Sequence, residues 1–316
     1  MLKRKIIKKI GICLTCLFIT FLLYLFPKSD DVFIPNTKYN TTALTNAIYP
    51  INDFGYVSRI KVPLKEKSAQ GKIREIVEYL TVGTSKSELL PDGFSPIIPN
   101  NIVLLKEKIE KNNLQVYFND NFNNLDSYTF EKVLESLIYS LTSLNGIDNI
   151  SIYVNNKVLT KYPNSSTPLN QYLDKSFGIN KKYDISSIKD TTKTTIFYTA
   201  KNDSTNYFVP ITKITNDTIP KVEIIIKELT SKPVYETSLM SYLNAETTLN
   251  NYELLDKEIN LEFNNAILSG INNKNDLEEV TYAINLSIKS NYDVDYVSYI
   301  VENKKIATFD IKDLEN

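Results

Sequence analysis

The run Asn119 to Asp126, NDNFNNLD, packs oxygen-bearing side chains closely enough to suggest a bound cation. A helix-loop-helix calcium loop needs a glycine at its sixth position and a bidentate glutamate at its twelfth. Counted from Asn119, the sixth residue is Asn124 and the twelfth is Phe130, with Glu131 one place out of register. The run reads better as a turn into a helix, capped by Asp126 or Ser127, with Phe130 opening the apolar face. NNKNDLEE, Asn272 to Glu279, has the same look late in the chain, with Asn275 or Asp276 as its cap. Two cap-like loops at matching places favour structure over catalysis.

Other chemistries lack their parts. The chain has no histidine, which removes Ser-His-Asp and Cys-His nucleophile pairs and histidine-based zinc sites. Its two cysteines, Cys13 and Cys16, lie in an apolar N-terminal run, so the region beyond holds neither a disulfide nor a thiolate site. There are 8 glycines and no phosphate-cradling glycine loop. Carboxylate catalysis needs no histidine, but two acids must face one another about 5–10 Å apart, and no preferred pair stands out. Asp148 and Asp295 recur in register and read as turn residues entering a strand. Tyrosine is abundant, 21 in all, with Tyr117, Tyr153, Tyr296 and Tyr299 on strands, where aromatics usually pack on neighbours. The residues assign no catalytic, cofactor-binding or metal-binding position.

The first thirty residues differ from the rest. Lys3, Arg4, Lys5, Lys8 and Lys9 precede an uncharged run from Ile10 to Phe26, followed by Asp30 and Asp31. At about 1.5 Å per residue the run extends about 26 Å, at the lower limit of the lengths that span a hydrocarbon core of about 30 Å. The basic flank predicts a cytoplasmic N-terminus and an extracytoplasmic remainder. An uncleaved signal anchor fits best. A processed signal stays open, although LYLFPKSDD offers no small-residue cleavage site and both cysteines sit too early for lipidation. The chain carries 36 basic and 37 acidic residues; five basic and no acidic ones precede Lys28, which leaves 31 against 37 beyond it, or −6. That balance argues against nucleic acid as partner.

The elements repeat. KIREIVEYLT places Ile73, Ile76, Val77 and Leu80 on one helical face, and KVEIIIKELT does so with Val222, Ile225, Ile226 and Leu229. A strand, a turn and a strand follow each time, with Leu114, Val116 and Phe118 alternating in one copy and Ile259, Leu261 and Phe263 in the other. A second helix carries Phe130, Val133, Leu137 and Leu141; Leu277, Val280, Ile284 and Ile288 match it at a shift of 147. DNISIYVNNKV, from Asp148, and DYVSYIVENKKI, from Asp295, close the copies as strands. Leading strand pairs, NAIYPI with YVSRIKVPL and TTIFYT with YFVPITKI, open them. The expectation is an α+β fold of two tandem ββαββαβ domains, helices on one face of each sheet, behind one transmembrane helix. The boundaries are 1–27 for the basic flank and anchor, 28–46 for a juxtamembrane linker and 47–159 for the first domain. A polar linker over 160–194, with a short helix at Leu169 to Lys175, leads to the second domain over 195–316.

This ordered set resembles the GerMN domain of the bacterial spore germination protein M family. The residues that carry the resemblance are the strands GYVSRIKVPL and NYFVPITKI, the helix IREIVEYLTVG, the turn LLPDGFSPIIP and the ending YVNNKV. It covers about residues 47–158 and 196–309. The second copy departs from it, having SKPVYETSLMSYLNAETTL in place of the Leu-Pro-x-Gly segment, and no lipobox is present. The resemblance implies a fold similar to ring-building modules of the sporulation apparatus. It also implies a non-enzymatic, membrane-anchored envelope protein of sporulation or germination that assembles with other envelope or sporulation proteins, in a homo- or hetero-oligomeric ring. A binding module for a cell-wall glycan or peptide is the alternative reading.

Overall fold

The computed structural model describes residues 14, 15, 17, 18, 21, 36–38, 45–202, 205–231, 239–269 and 274–314. The chain forms two compact units, Met1–Ile34 and Pro35–Asn316. In the first, the described residues are helical, and Leu14, Leu17, Phe18 and Phe21 are exposed. Among the described residues no helix is long and apolar enough to cross a membrane. Most of the expected span, Ile10 to Phe26, lies outside them.

The second unit starts with a short strand, β1 (Asn36–Lys38). The first domain then runs β2 (Thr45–Ile48), β3 (Ile51–Asn52), β4 (Ile60–Pro63), α1 (Ala69–Leu80), β5 (Phe94–Ser95), β6 (Leu104–Glu110), β7 (Asn113–Phe118), α2 (Ser127–Leu141), β8 (Asn149–Val154) and β9 (Lys157–Val158). A connecting strand, β10 (Lys182–Asp184), leads to the second domain. That domain runs β11 (Thr192–Asn202), β12 (Thr205–Thr215), α3 (Lys221–Thr230), β13 (Leu249–Leu255), β14 (Glu258–Phe263), α4 (Lys274–Asn291), β15 (Tyr296–Val301) and β16 (Lys304–Asp310).

The apolar registers explain these elements. Ile73, Ile76, Val77 and Leu80 are buried on α1, and Val222, Ile225, Ile226 and Leu229 on α3. Leu114, Val116 and Phe118 of β7 point to one buried face, as the two-residue period of a strand demands. Ser68 caps α1 by accepting from the Gly71 N–H at 3.0 Å. The main sheets have the orders β6-β7-β8-β9 and β1-β16-β15-β14-β13. In each, the two strands flanking the second helix are parallel and the hairpin pairs on either side of them are antiparallel. The leading pairs, β2 with β4 and β11 with β12, are antiparallel.

Three features differ from the expectation. The closing element of each copy is a hairpin, not one strand. Asn155 and Asn156 take φ of 51° and 59°, and Glu302 and Asn303 take 51° and 60°. Two successive left-handed residues make the tight turn that suits the right-handed twist of paired strands, so the chain reverses. The order is therefore ββαββαββ in each copy, with a further short pair, β3–β5, in the first.

Residues 160–194 are also more than a connection. Leu169, Leu173 and Ile179 are buried, and Ile150 and Leu173 exchange backbone hydrogen bonds of 2.8 and 2.9 Å. Leu173 thus covers the part of the β8 edge that the two-residue β9 leaves open. In place of the helix expected over Leu169–Lys175 there is a 3₁₀ turn at Lys175–Phe177, and β10 pairs in parallel with β12.

Finally, β1, within the expected linker 28–46, pairs in parallel with β16 of the second domain, Asn36 opposite Thr308. The two domains share core as well: Ala200, Tyr207 and Val209 join the cluster that holds Ile48, Tyr49 and Ile98.

Candidate interaction surface

The seam between the domains fixes how any surface is displayed. Arg59, just before β4, forms an antiparallel bridge with Phe208, its N–H donating to the Phe208 carbonyl at 2.7 Å. Its side chain is buried, and Nη2 donates to the Leu314 carbonyl at 2.7 Å. A buried guanidinium needs such partners.

Asn180 is the second tie. Its φ is 46°, a left-handed value that asparagine tolerates better than most residues. Nδ2 donates to the carbonyls of Val57 at 2.7 Å and Pro210 at 2.8 Å. Oδ1 accepts from the Val57 N–H at 3.0 Å and from Lys132 Nζ at 2.8 Å. Every hydrogen-bonding position of the amide is thereby used. Lys132 also pairs with buried Glu135 at 3.1 Å. Burial pushes the Glu135 carboxyl above the usual carboxylate range, and Lys132 opposes that shift. Nearby, Asn52 Nδ2 donates to the Tyr207 hydroxyl at 3.1 Å, and Phe94 meets Tyr207 edge-on at 4.8 Å.

The same alternation that buries Leu114, Val116 and Phe118 turns Asn113, Gln115 and Tyr117 to the other face of the first sheet. On β8, Asn149, Ser151 and Tyr153 lie beside them in register. Tyr117 and Tyr153 stack at 4.5 Å with 20° between their planes. The Tyr117 hydroxyl donates to Gln115 Oε1 at 2.8 Å, and Asn113 Nδ2 to Ser151 Oγ at 3.1 Å. Lys106 Nζ lies 5.4 Å from the Tyr117 ring centre, and exposed Tyr172 rims a depression of about 750 Å³ over this face. The face offers amides, hydroxyls and aromatic planes.

The equivalent face of the second sheet is ionic. Glu258 accepts from Ser298 Oγ at 2.5 Å and from Lys305 Nζ at 3.0 Å. The Ser298 hydrogen bond, with Lys305, holds its carboxyl below the usual range against the effect of burial.

Asp126 caps α2, accepting from the N–H groups of Tyr128 at 3.0 Å and Thr129 at 3.1 Å. Asp120 accepts from Asn123 and Asn155 side chains at 3.1 and 2.7 Å, so neighbouring amides occupy its carboxylate. Asn275 and Asp276 fall within α4, Lys274–Asn291, and the capping expected of their side chains lies outside what is described. Asp148 and Asp295 play the same part in the two copies: each enters its strand with its N–H donating to the turn before the preceding strand, to Asn112 O at 2.9 Å and Lys257 O at 2.7 Å respectively. Tyr299 is fully buried, whereas Tyr117, Tyr153 and Tyr296 are partly exposed. Among the described residues no group of three potential metal ligands occurs.

Sequence reasoning missed the polar seam and a polar stripe on the second helices. Ser136 Oγ donates to the Tyr49 carbonyl at 2.6 Å, and Ser140 Oγ accepts from the Tyr49 N–H at 2.9 Å. In the second domain Ser287 Oγ accepts from the Phe197 N–H at 2.9 Å. These helices act as a partner for the free edge of a leading strand. A signal existed: Ser140 and Ser287 stand at the same 147-residue shift as the apolar positions.

Residues 47–160 match the family model described as Germane, sporulation and spore germination. Over 271 residues the chain is 27% identical to the spore germination protein GerM of Bacillus subtilis (strain 168), covering 84% of this chain and 73% of that protein. The structure is similar to that of the tandem GerMN domains of the sporulation protein GerM from Bacillus subtilis, with a TM-score of 0.73 and 25% identity, covering 85% of this chain and 94% of the other.

Proposed function

We propose that this chain, a tandem GerMN-domain protein similar to the sporulation protein GerM, is a non-catalytic assembly component of the cell envelope in sporulation or germination. It holds other envelope or sporulation proteins, or further copies of itself in a ring, on the extracytoplasmic side of the membrane. The run Ile10–Phe26 serves as its single-pass anchor, with the N-terminus cytoplasmic; the exposed Leu14, Leu17, Phe18 and Phe21 support that role.

The observation that carries the proposal is the seam. A scaffold must present its faces at a fixed spacing. The buried Arg59 and Asn180 ties, with a core shared across both domains, supply that rigidity. Deleting the gene in a spore-forming host should lower the count of heat-resistant spores, and the tagged full chain should co-purify with envelope proteins after crosslinking. An unchanged spore count would overturn the proposal.

A second reading, a module for cell-wall glycan, is favoured by the stacked Tyr117 and Tyr153 and the amides beside them. Aromatic planes flanked by amides suit the alternating apolar and hydroxyl faces of a sugar. The full chain would then sediment with insoluble peptidoglycan, and Tyr153→Ala would release it.

A further inference from the structure

Arg59, just before β4, and Lys61, within it, stand two residues apart, so their side chains leave the same side of the extended chain. That face opens into a cavity of about 520 Å³ between the domains, a volume suited to a small organic ligand. Both cations line it. Arg59 already gives an N–H to the Leu314 carbonyl. Lys61 is only part-exposed, and among the described residues no carboxylate pairs with it. A half-buried ammonium that no carboxylate meets among the described residues costs free energy that a bound anion would recover.

The opposite wall comes from the second domain. Phe208 of β12 and Tyr282 of α4 stack at 4.9 Å with 27° between their planes, giving an aromatic surface. Asn206 adds an amide, and Asp92 a single negative charge at the rim. Lys61 contributes one positive charge with no carboxylate partner among the described residues, and a single charge favours a carboxylate over a phosphate dianion.

We propose that this cavity binds a small carboxylate joined to an apolar ring, Lys61 meeting the carboxylate and the Phe208–Tyr282 wall packing on the ring. Such a ligand touches both domains and so bears on the seam directly. Burial, with Arg59 beside it, pushes Lys61 down to about 8, so the free cation is close to losing its proton and binding couples to its protonation. Among the described residues, the other titratable or charged groups facing the cavity are Arg59, Asp92, Tyr207 and Tyr282. Burial pushes Tyr207 upward, away from the pH range in which Lys61 titrates.

The test is calorimetric titration of the full chain with N-acetylphenylalanine, its neutral carboxamide and inorganic phosphate. The acid should bind at least about tenfold more tightly than either comparison compound. Its affinity should fall as pH rises from about 7 to about 9, and that fall should vanish in Lys61→Met. Lys61→Met should also lose at least about tenfold in affinity while melting no lower than the parent, because it removes an uncompensated cation. Lys61→Arg, which keeps the charge, should retain binding. The proposal is overturned by no binding of the acid below about 10 mM, by equal binding of the carboxamide or of phosphate, or by undiminished binding to Lys61→Met.

Discussion

Asn180→Ala isolates the contribution of the seam. Truncation leaves the Val57 N–H, the Val57 carbonyl and the Pro210 carbonyl without their side-chain partner in a buried place. Each such group costs about 1 kcal/mol or somewhat more. Alanine at φ 46° adds about 1 kcal/mol relative to asparagine. Lys132 keeps Glu135, so its loss is small. The sum is about 4 kcal/mol, and for a body of this size that lowers the melting temperature by about 8–16 °C. Asn180→Asp separates the causes. It keeps the shape and the tolerance for a left-handed backbone, but turns an oxygen on two carbonyls, so it should still lose most of the stability. Differential scanning calorimetry of the full chain reads both shifts. Hydrogen exchange should show faster opening on β4 and β12 and little change on β7. A shift within about 2 °C of the parent for both variants would refute the view that Asn180 ties the domains.

Other outcomes follow from the same contacts. Burial alone would raise the carboxyl of Glu75, but Lys86 and the N–H groups of Glu66 and Lys65 hold it below its usual value. A depressed carboxyl adds stability above its unfolded value and loses it as pH falls through its folded value. Glu75→Gln should therefore cost about 2 kcal/mol at neutral pH, and the gap to the parent should close in urea melts below about pH 4. Ser140→Ala and Ser287→Ala should each cost about 1–2 kcal/mol by removing the acceptor of a buried backbone N–H, at Tyr49 and Phe197 respectively. The double variant should lose their sum, since the sites lie in different domains; a marked departure from additivity in denaturant melts would count against independent roles. Asn156→Val should cost about 1–2 kcal/mol at φ 59°, whereas Asn156→Gly should be tolerated. Equal melting of the two would mean that the turn does not require its left-handed backbone.

Much of the architecture was legible in local pattern. Ile73, Ile76, Val77 and Leu80 declare the buried stripe of α1 through spacing alone, and the alternation of Leu114, Val116 and Phe118 declares a strand with one covered face. The recurrence of these registers in the same order exposed the duplication. The closing hairpins were harder to see. Their turns are Asn-Asn and Glu-Asn, without the glycine that usually marks two left-handed residues, so backbone conformation rather than composition defines them.

What the sequence determined by itself was the content of each domain: helix faces, strand faces, tandem order and the absence of histidine chemistry. Periodicity encodes these because a helix or strand reports its own burial every few residues. Tertiary structure alone decided how the domains meet. Asn180 reaches Val57 across 123 residues, and Arg59 reaches Leu314 across 255. In the sequence both look like ordinary polar residues in a connection and a strand margin. Hydrogen bonds between such distant groups leave no periodic trace, because each partner is chosen by the fold that brings it within about 3 Å. The cavity at Lys61 arises in the same way, from a strand of one domain facing an aromatic pair of the other.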